Sequence, residues 1–522
     1  MTYPTYKTYK SSFTRDRLFT AAVYILLFLY SLYPYIDFDW GWHYRYGQYF
    51  WQHFRLYSAD TFSWTLPGYA WINHSWAYDP LLYLTFNAVG FLGLSIIGAL
   101  ICVAIFYFLT KPFKLSFWQK GLLAIPLVQL TSGVVWQGPR SQIISLLFLS
   151  ILMYLIFKDR QVASFAYLQK KWVLWSLPVF FFFWANFHGY FTLGLLILGI
   201  FVTCQIIETV TSLRVPASGG AKQSLSFKRL LRRFTPRNDG TSNWPLIASF
   251  LASIAVTLIN PFGFRVYEEA LRHSSSPLLH YILEWDPVQI PSEFFTFFAC
   301  FVLLLSAGLI WRIIKKQSIH TDLPMIICSL IVLYLAWGAR RYMAVFIVVT
   351  IPFAALILQD LKLNLEKLKA TGFVFIILCA ISLEIALFRR LPPYHLTNFS
   401  FNDYCQQGSH CSTAATDYLI AHPPQGAGFN FYDWGGFLIG RGVPVKLFID
   451  GRMHLWEKDN YSPFLDYQKI FYEGDVKRFD KYHFDWVFVP KGASLLKALE
   501  SGDHGSWQEV FGDEMAVLLI RK

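Results

Sequence analysis

Charge is what this 522-residue chain has least of: Asp, Glu, Lys and Arg together make up 15% of it, against about a quarter in soluble domains. That shortage argues against a string of ordinary water-soluble domains. Acidic residues are the scarcer sign, 33 against 45 Lys and Arg, which leaves a net charge of +12. Cysteine is sparse and scattered. Of the seven, Cys102, Cys204, Cys300, Cys328 and Cys379 fall in apolar runs and read as packing residues. Cys405 and Cys411 instead flank a polar loop, Gln-Gln-Gly-Ser-His410. A local disulfide is expected there rather than a metal site with His410, because two more ligands are not in view. No internal repeat stands out. No cleavable leader is evident either, since residues 1–17 are polar and basic and the apolar run after them is long enough to stay in a bilayer.

What the chain has instead is apolar length. It is 55% hydrophobic and 19% aromatic, with a mean hydropathy of +0.38. Runs of this kind span the hydrocarbon core at about 18–20 residues. Eleven candidate spans follow: residues 18–36, 90–109, 121–136, 142–157, 173–186, 191–210, 244–259, 294–311, 323–337, 344–358 and 372–388. Trp and Tyr cluster at many of their ends, as interfacial anchors do. With the N-terminus in the cytoplasm, the inner segments hold about 24 Lys and Arg and the outer loops before the last span about 7, the bias that fixes orientation. The basic excess is therefore a topology signal, and nucleic acid is not expected as a partner. The richest inner loop, 211–243, carries Lys228, Arg229, Arg232, Arg233 and Arg237 and reads as an anchor against anionic lipid.

An odd number of spans leaves residues 389–522 outside. That segment regains charge, Gly and Pro, with short strand patterns at 446–449 and 486–489 and helical ones at 461–472 and 494–499, which suggests a small α/β domain. The expected architecture is a multi-pass α-helical membrane protein of the cell (inner or plasma) membrane. Residues 1–388 form its transmembrane part, with a first outer loop at 37–78, and 389–522 an extracytoplasmic α/β domain. Membrane lipids are expected partners.

In that topology the unusual polar motifs share one side. The first outer loop reads Asp37-Phe-Asp39-Trp-Gly-Trp-His43-Tyr-Arg45-Tyr-Gly and later Trp71-Ile-Asn-His74-Ser-Trp76. Other outer turns carry Gly138-Pro-Arg140, Asn186-Phe-His188-Gly, Asn260-Pro-Phe-Gly263, Glu284-Trp-Asp286 and Arg340-Arg341. An enzyme working at the outer surface needs such an asymmetry. Asp37 and Asp39 sit where a span ends, a costly place for carboxylates without a partner or a task. Their i, i+2 spacing suits one shared cation, a base with a supporting acid, or solvated loop charge. Arg140, Arg340 and Arg341 offer planar donor forks for phosphate, or snorkel and pair with acids. His43, His74 and His188 read as metal ligands, acid–base groups, sugar contacts or satisfied structural histidines. The Trp residues between 64 and 76 stack on sugars or form an interfacial belt.

The Asp37-to-Gly47 stretch after the first span resembles the first extracytoplasmic loop of GT-C-fold glycosyltransferases, polytopic enzymes that use polyprenyl-phosphate-linked sugars. They include oligosaccharyltransferase catalytic subunits and mannosyl- and aminoarabinosyltransferases. Phe62-Ser63, Trp71 to Trp76, Trp184-Ala-Asn-Phe-His188-Gly, Asn260 to Gly263, Asn430-Phe-Tyr-Asp-Trp-Gly-Gly436 and Phe448-Ile-Asp450-Gly-Arg452 resemble a bacterial branch of that superfamily across most of the chain. Tyr432-Asp433-Trp434-Gly435 is similar to the acceptor-recognising Trp-Trp-Asp-Tyr-Gly motif of oligosaccharyltransferases, with Tyr and Trp exchanged about the Asp. Where those enzymes place a second Asp-x-Asp, this chain has Gln137-Gly-Pro-Arg140.

The resemblance implies a glycosyltransferase that moves a sugar from a lipid-linked donor to a glycan, lipid or protein acceptor. An acceptor hydroxyl or amide attacks the anomeric carbon as a lipid phosphate leaves. That needs a carboxylate as base or organiser and positive charge on the leaving group, from arginine or a divalent cation. Asp39 is the first expected catalytic carboxylate and Asp37 the second. Asp39 is also the expected ligand if Mg or Mn is bound. His43, Arg45, His74, Arg140, His188, Glu284, Arg340 and Arg341 are the expected substrate and phosphate contacts, with Asp286 beside Glu284. Tyr432, Asp433 and Trp434 are the expected acceptor contacts. The alternative is a transport or assembly protein that keeps the GT-C fold without catalysis. The near absence of charge inside the spans, Glu384 aside, speaks against a conducting path.

Overall fold

The computed structural model describes residues 6–135, 138–158, 170–212, 243–290, 292–315, 322–361, 398–500 and 506–522. The eleventh expected span, 372–388, the expected domain boundary at 388 and all but the ends of the loop 211–243 lie outside the described residues. The chain runs through α1 (Tyr6–Ser31), α2 (Trp40–His53), α3 (Tyr78–Thr110), α4 (Phe117–Val135), α5 (Ser141–Phe157), α6 (Lys171–Phe187) and α7 (Phe191–Ser212). Further helices are Trp244–Val256, Arg265–Ser275, Glu293–Ile314, Leu323–Gly338 and Met343–Asp360. Helices thus occupy ten of the eleven expected stretches. Among the described residues, Tyr78–Thr110, Phe191–Glu208, Phe295–Ile314 and Arg340–Asp360 are long and apolar enough to cross a membrane. The helix Met343–Asp360 is the buried centre of the bundle, with Val345, Ile347, Val348, Val349 and Ile351 all at 0% exposure. It packs against α4, α5 and Leu323–Gly338.

Two elements differ from expectation. The first outer loop contains a helix, α2. Its first turn is buried all round, at Trp40, Gly41, Trp42 and His43, and Tyr46 and Gly47 continue the burial one turn on. The buried set is aromatic and glycine-rich rather than aliphatic, so it does not read as a span. α3 begins at Tyr78 rather than at 90, because it continues across a kink at Gly90 (φ 59°, ψ −160°), backbone that only glycine adopts without strain.

The C-terminal region carries a four-stranded sheet of order β1-β2-β4-β3, with β1 (Gly428–Asn430), β2 (Trp486–Pro490), β3 (Trp507–Gly512) and β4 (Ala516–Arg521). β1 and β2 are parallel, so a long crossover joins them; the other pairs are antiparallel. Alternation sends Val487, Val489 and Val517 into a core with Phe429, Phe464 and Tyr467. Trp486, Phe488 and Leu518 enter a second core that includes Trp40, Tyr46, Tyr78 and Leu82 of α2 and α3. The sheet domain and the 37–78 segment therefore share a core. Residues 446–449, expected as a strand of the domain, form instead an isolated bridge from Leu447 to Ser63 of that loop. Asn430 holds the segment in place, accepting from Phe448 N at 2.8 Å and donating to Ile449 O at 2.8 Å. The helix Gly435–Arg441 packs on α2, so closely that a Cβ on Gly41 would overlap the Gly436 carbonyl. The two glycine-bearing motifs of the sequence are thus each other's packing partners. Arg452 locks the same junction from inside, wholly buried between Asp60 (2.8 Å) and Asp450 (2.7 Å) with Tyr46 Oη at 2.9 Å. Cys405 and Cys411 form the local disulfide.

Candidate functional site

Asp39 occupies the N-cap position of α2, yet its side chain makes no capping hydrogen bond. A short polar side chain there ordinarily satisfies the free helix amides. The carboxylate is turned outward instead. Oδ1 accepts from Trp42 Nε1 at 3.0 Å and Oδ2 from Arg140 Nη2 at 2.8 Å. Arg140 also reaches Asp37 Oδ1 through Nε at 3.0 Å, so one guanidinium spans both carboxylates in fork geometry. Gly138 makes this approach possible: it turns the chain at φ 88° in a place where a Cβ would overlap the Tyr35 ring. Asp37 is fully buried, and its own Oδ1 accepts from Asp39 N at 3.1 Å. Burial and the nearby Asp39 charge push its carboxyl up to about 6 against the opposing pull of Arg140. Burial alone would lower the Arg140 guanidinium, but the two carboxylates raise it.

Asp39 and Arg140 form one wall of a cavity of about 720 Å³. Glu284, Trp285, Arg340 and Arg341 form a second wall, Tyr432, Asp433 and His454 a third, and Leu130, Val134, Val288 and Ala344 give it an apolar flank beside the bundle. Arg341 donates from Nη1 to Glu284 Oε1 at 3.0 Å and lies 4.1 Å over the Trp285 ring. Burial would raise Glu284, but Arg341 and Arg140 hold it below the ordinary carboxylate range. Arg340 donates from Nε to Pro287 O at 3.3 Å, while its buried Nη2 has no hydrogen-bond partner among the described residues. A buried donor left unpaired is costly. Burial and then the charge of Asp39 push Asp433 up to about 6.

Of the expected site residues, Asp39, Arg140, Glu284, Arg340, Arg341, Tyr432 and Asp433 therefore share one cavity. Asp37 stands behind it. The others have different partners. His43 is buried on Asp79, Nδ1 to Oδ1 at 2.5 Å, and stacks under Trp42, where it fixes the ring that holds Asp39. Arg45 ties α2 to the helix Gly435–Arg441 through the Ile439 carbonyl at 3.1 Å. The His74 and His188 rings face each other at 5.5 Å, and His188 Nδ1 accepts from Tyr190 N. Trp434 is buried with Nε1 on the Ser409 carbonyl, a packing role rather than an acceptor contact. Asp286 accepts from Arg340 N through its backbone oxygen. The sequence reading missed His454, Tyr467, Gln468 and Tyr281 on the walls. His454 had a signal, two residues after the Asp450-Gly-Arg452 motif; Tyr467 and Gln468 had none, lying in an ordinary amphipathic helix.

The Asp37–Asp39 pair does not fit a divalent cation in this arrangement. The Arg140 guanidinium occupies the position between the two carboxylates where such an ion would bridge, and Trp42 takes the remaining Asp39 oxygen. Nor do three or more His, Cys, Asp or Glu gather as a metal cluster among the described residues.

No family model matches the chain, and no curated protein matches its sequence. Solved structures do match in fold. The archaeal oligosaccharyltransferase AglB from Archaeoglobus fulgidus, in complex with an inhibitory peptide and a dolichol-phosphate, superposes at TM-score 0.52 with 13% identity, over 90% of this chain and 69% of that one. The Archaeoglobus fulgidus oligosaccharyltransferase tethered to an acceptor peptide gives 0.52 and 14% over the same shares. ArnT from Cupriavidus metallidurans bound to undecaprenyl phosphate gives 0.46 and 12%, over 96% of this chain and 97% of that one. The chain has a GT-C-like fold, helical with a small C-terminal sheet domain.

Proposed function

We propose that this chain is a membrane glycosyltransferase that moves a sugar from a polyprenyl-phosphate-linked donor to a glycan, lipid or protein acceptor on the extracytoplasmic face. Asp39 is its catalytic carboxylate. The observation that carries this reading is a single cavity lined by Asp39, by Arg340 and Arg341 and by an apolar flank of the bundle. A lipid phosphate needs a cationic pocket next to an apolar track, and an acceptor needs a carboxylate opposite. The GT-C-like fold supports the same reading, as do the dolichol-phosphate and peptide bound to the archaeal enzyme.

The roles follow from the geometry. Arg140 and Trp42 fix Asp39 in one orientation. The acceptor O–H or N–H donates to the Asp39 carboxylate, which takes its proton as the nucleophile attacks the anomeric carbon. The bond from that carbon to the phosphate oxygen breaks, and the oxygen keeps the electron pair. Arg340 and Arg341 stabilise the growing phosphate charge, as fixed donors do where charge develops. Asp433, across the cavity, orients the acceptor.

The test is incubation of purified protein with labelled polyprenyl-phosphate sugars, followed by product identification. Asp39→Asn should lower transfer by about 10²–10⁴-fold, the usual reach of a general base, while donor binding persists. Arg340→Ala should weaken donor binding about 10–100-fold, the loss of one charge-assisted hydrogen bond. Full activity in Asp39→Asn would remove the central assignment. The orientation is tested separately: a tag after Lys522 should be labelled from outside intact cells, and one before Met1 should not.

A further inference from the structure

A pair of histidines beside the cavity has a hydrogen-bond pattern that the transfer reaction does not use. His273 lies on the helix Arg265–Ser275, and its Nδ1 is 2.8 Å from the Glu269 carbonyl oxygen, with Glu269 Oε1 at 3.7 Å. His454 lies in the turn after Arg452, and its Nδ1 is 2.9 Å from the Gly451 carbonyl oxygen. A carbonyl only accepts, so both Nδ1 atoms carry a proton, and in the neutral rings both Nε2 atoms are lone pairs. Those two Nε2 atoms face each other at 3.2 Å. Two lone pairs at that distance repel unless a proton or a metal cation lies between them.

We infer that His273 and His454 are the protein ligands of a divalent transition-metal site, with zinc as the natural occupant. Three features agree. Nitrogens bound at about 2.0–2.1 Å to one tetrahedral zinc stand about 3.3 Å apart, close to the separation here. Metal-bound histidines ordinarily donate their second ring nitrogen to a carbonyl or carboxylate, as both of these do. Neutral imidazoles suit zinc, nickel or copper rather than magnesium. No third His, Cys, Asp or Glu completes the cluster among the described residues, so water or an oxyanion fills the remaining positions, as at open zinc sites. The ion would clasp the helix Arg265–Ser275 to the C-terminal region at the cavity wall that His454 helps form. This assignment is independent of the proposed sugar transfer, and its test reads metal rather than product.

The experiment uses the full chain purified in detergent, stripped with a chelator and titrated with zinc chloride, with bound metal measured by mass spectrometry. One zinc per chain is expected in the wild type and in Asp39→Asn, and none in His273→Gln, His454→Gln or the double variant. Cobalt chloride in place of zinc should give the visible absorption of a low-coordinate site, lost in the same variants. In the unaltered chain, zinc should protect His273 and His454 from diethylpyrocarbonate, read by peptide mass mapping; this arm does not depend on any variant folding. Wild-type protein that takes up no zinc overturns the assignment, the facing nitrogens then sharing a proton. Uptake that survives both substitutions, or histidine modification that zinc leaves unchanged, overturns it as well.

Discussion

Replacing Arg140 with alanine removes the guanidinium that spans Asp37 and Asp39, and the consequence depends on pH in a calculable way. Asp37 is fully buried and already pushed from its ordinary 3.8 to about 6 with Arg140 beside it. Without Arg140 its native value rises further, because the positive charge that lowers it is gone. The sign follows: a carboxyl raised in the folded state holds its proton there, so folding weakens as pH climbs. Below about pH 6 both proteins carry Asp37 protonated, and the pH-dependent part of the difference vanishes. At pH 7 the variant loses about 1.4 kcal/mol, one pH unit above the wild-type value. Each further unit adds about the same, towards the roughly 3–5 kcal/mol of an unpaired buried charge. The assay is the apparent thermal midpoint in detergent across about pH 5.5–8.5, with Asp37→Asn as the second background. The gap between wild type and Arg140→Ala should open as pH rises, and should lose its pH dependence when both carry Asp37→Asn. A gap of constant size across that range would refute the reasoning. Transfer should also fall in Arg140→Ala at every pH, since Asp39 loses its anchor.

Asp433, pushed up to about 6 by burial and Asp39, ionises as pH rises, so wild-type transfer should climb through about pH 6; Asp433→Asn should flatten that limb in a pH–rate profile, and an unchanged limb would reassign it. Gly41→Ala forces a methyl into the Gly436 carbonyl and should cost at least about 1–3 kcal/mol by overpacking, read as a lowered thermal midpoint; a wild-type midpoint would deny the backbone contact between α2 and the helix Gly435–Arg441. Arg452→Ala leaves Asp60 and Asp450 buried without their cation and should cost about 3–5 kcal/mol. Arg452→Lys should fail to restore it in the same melt, because one ammonium cannot replace a fork that meets both acids and Tyr46.

The spans were readable because an apolar run of bilayer length is at home in few places besides a membrane. The side of the membrane that the polar motifs face rests on the Lys and Arg bias of the loops. α2 was not legible, since its buried Trp, Gly, His and Tyr lack the aliphatic stripe that marks a helix, and it is buried between α3 and the C-terminal helix Gly435–Arg441. The segment 446–449 has strand composition, but its partner, Ser63, lies far away in sequence, and no local pattern names such a partner. At the site, Asp39, Arg140, Arg340 and Arg341 were picked out by charge in an uncharged setting, and they share a cavity. The histidines were picked out by rarity, and the cavity lining includes none of the three: His43 pairs with Asp79, and His74 and His188 meet edge to face. Trp434 was chosen by likeness to a motif, but the exchange of Tyr and Trp about Asp433 sends the indole to the Ser409 carbonyl and leaves Tyr432 on the wall. Motif order, rather than motif content, decided which ring meets the cavity.

The turn at Gly138-Pro-Arg140 bears on how the charge at Asp39 is balanced. Two acids spaced i, i+2 at a membrane surface need a cation. An acidic residue at position 140 would add a third negative charge and demand a metal ion to bind all three. An arginine supplies the cation itself, from the residue that caps α5. It meets Asp37 through Nε and Asp39 through Nη2, so its plane orients both carboxylates, which a spherical ion does less strictly. The positive charge lining the cavity is then divided. Arg140 is committed to Asp37 and Asp39, Arg341 to Glu284, and Arg340 to the Pro287 carbonyl. In the proposed reaction Arg340, tied on its wall to the Pro287 carbonyl, is the arginine left to receive a phosphate oxygen.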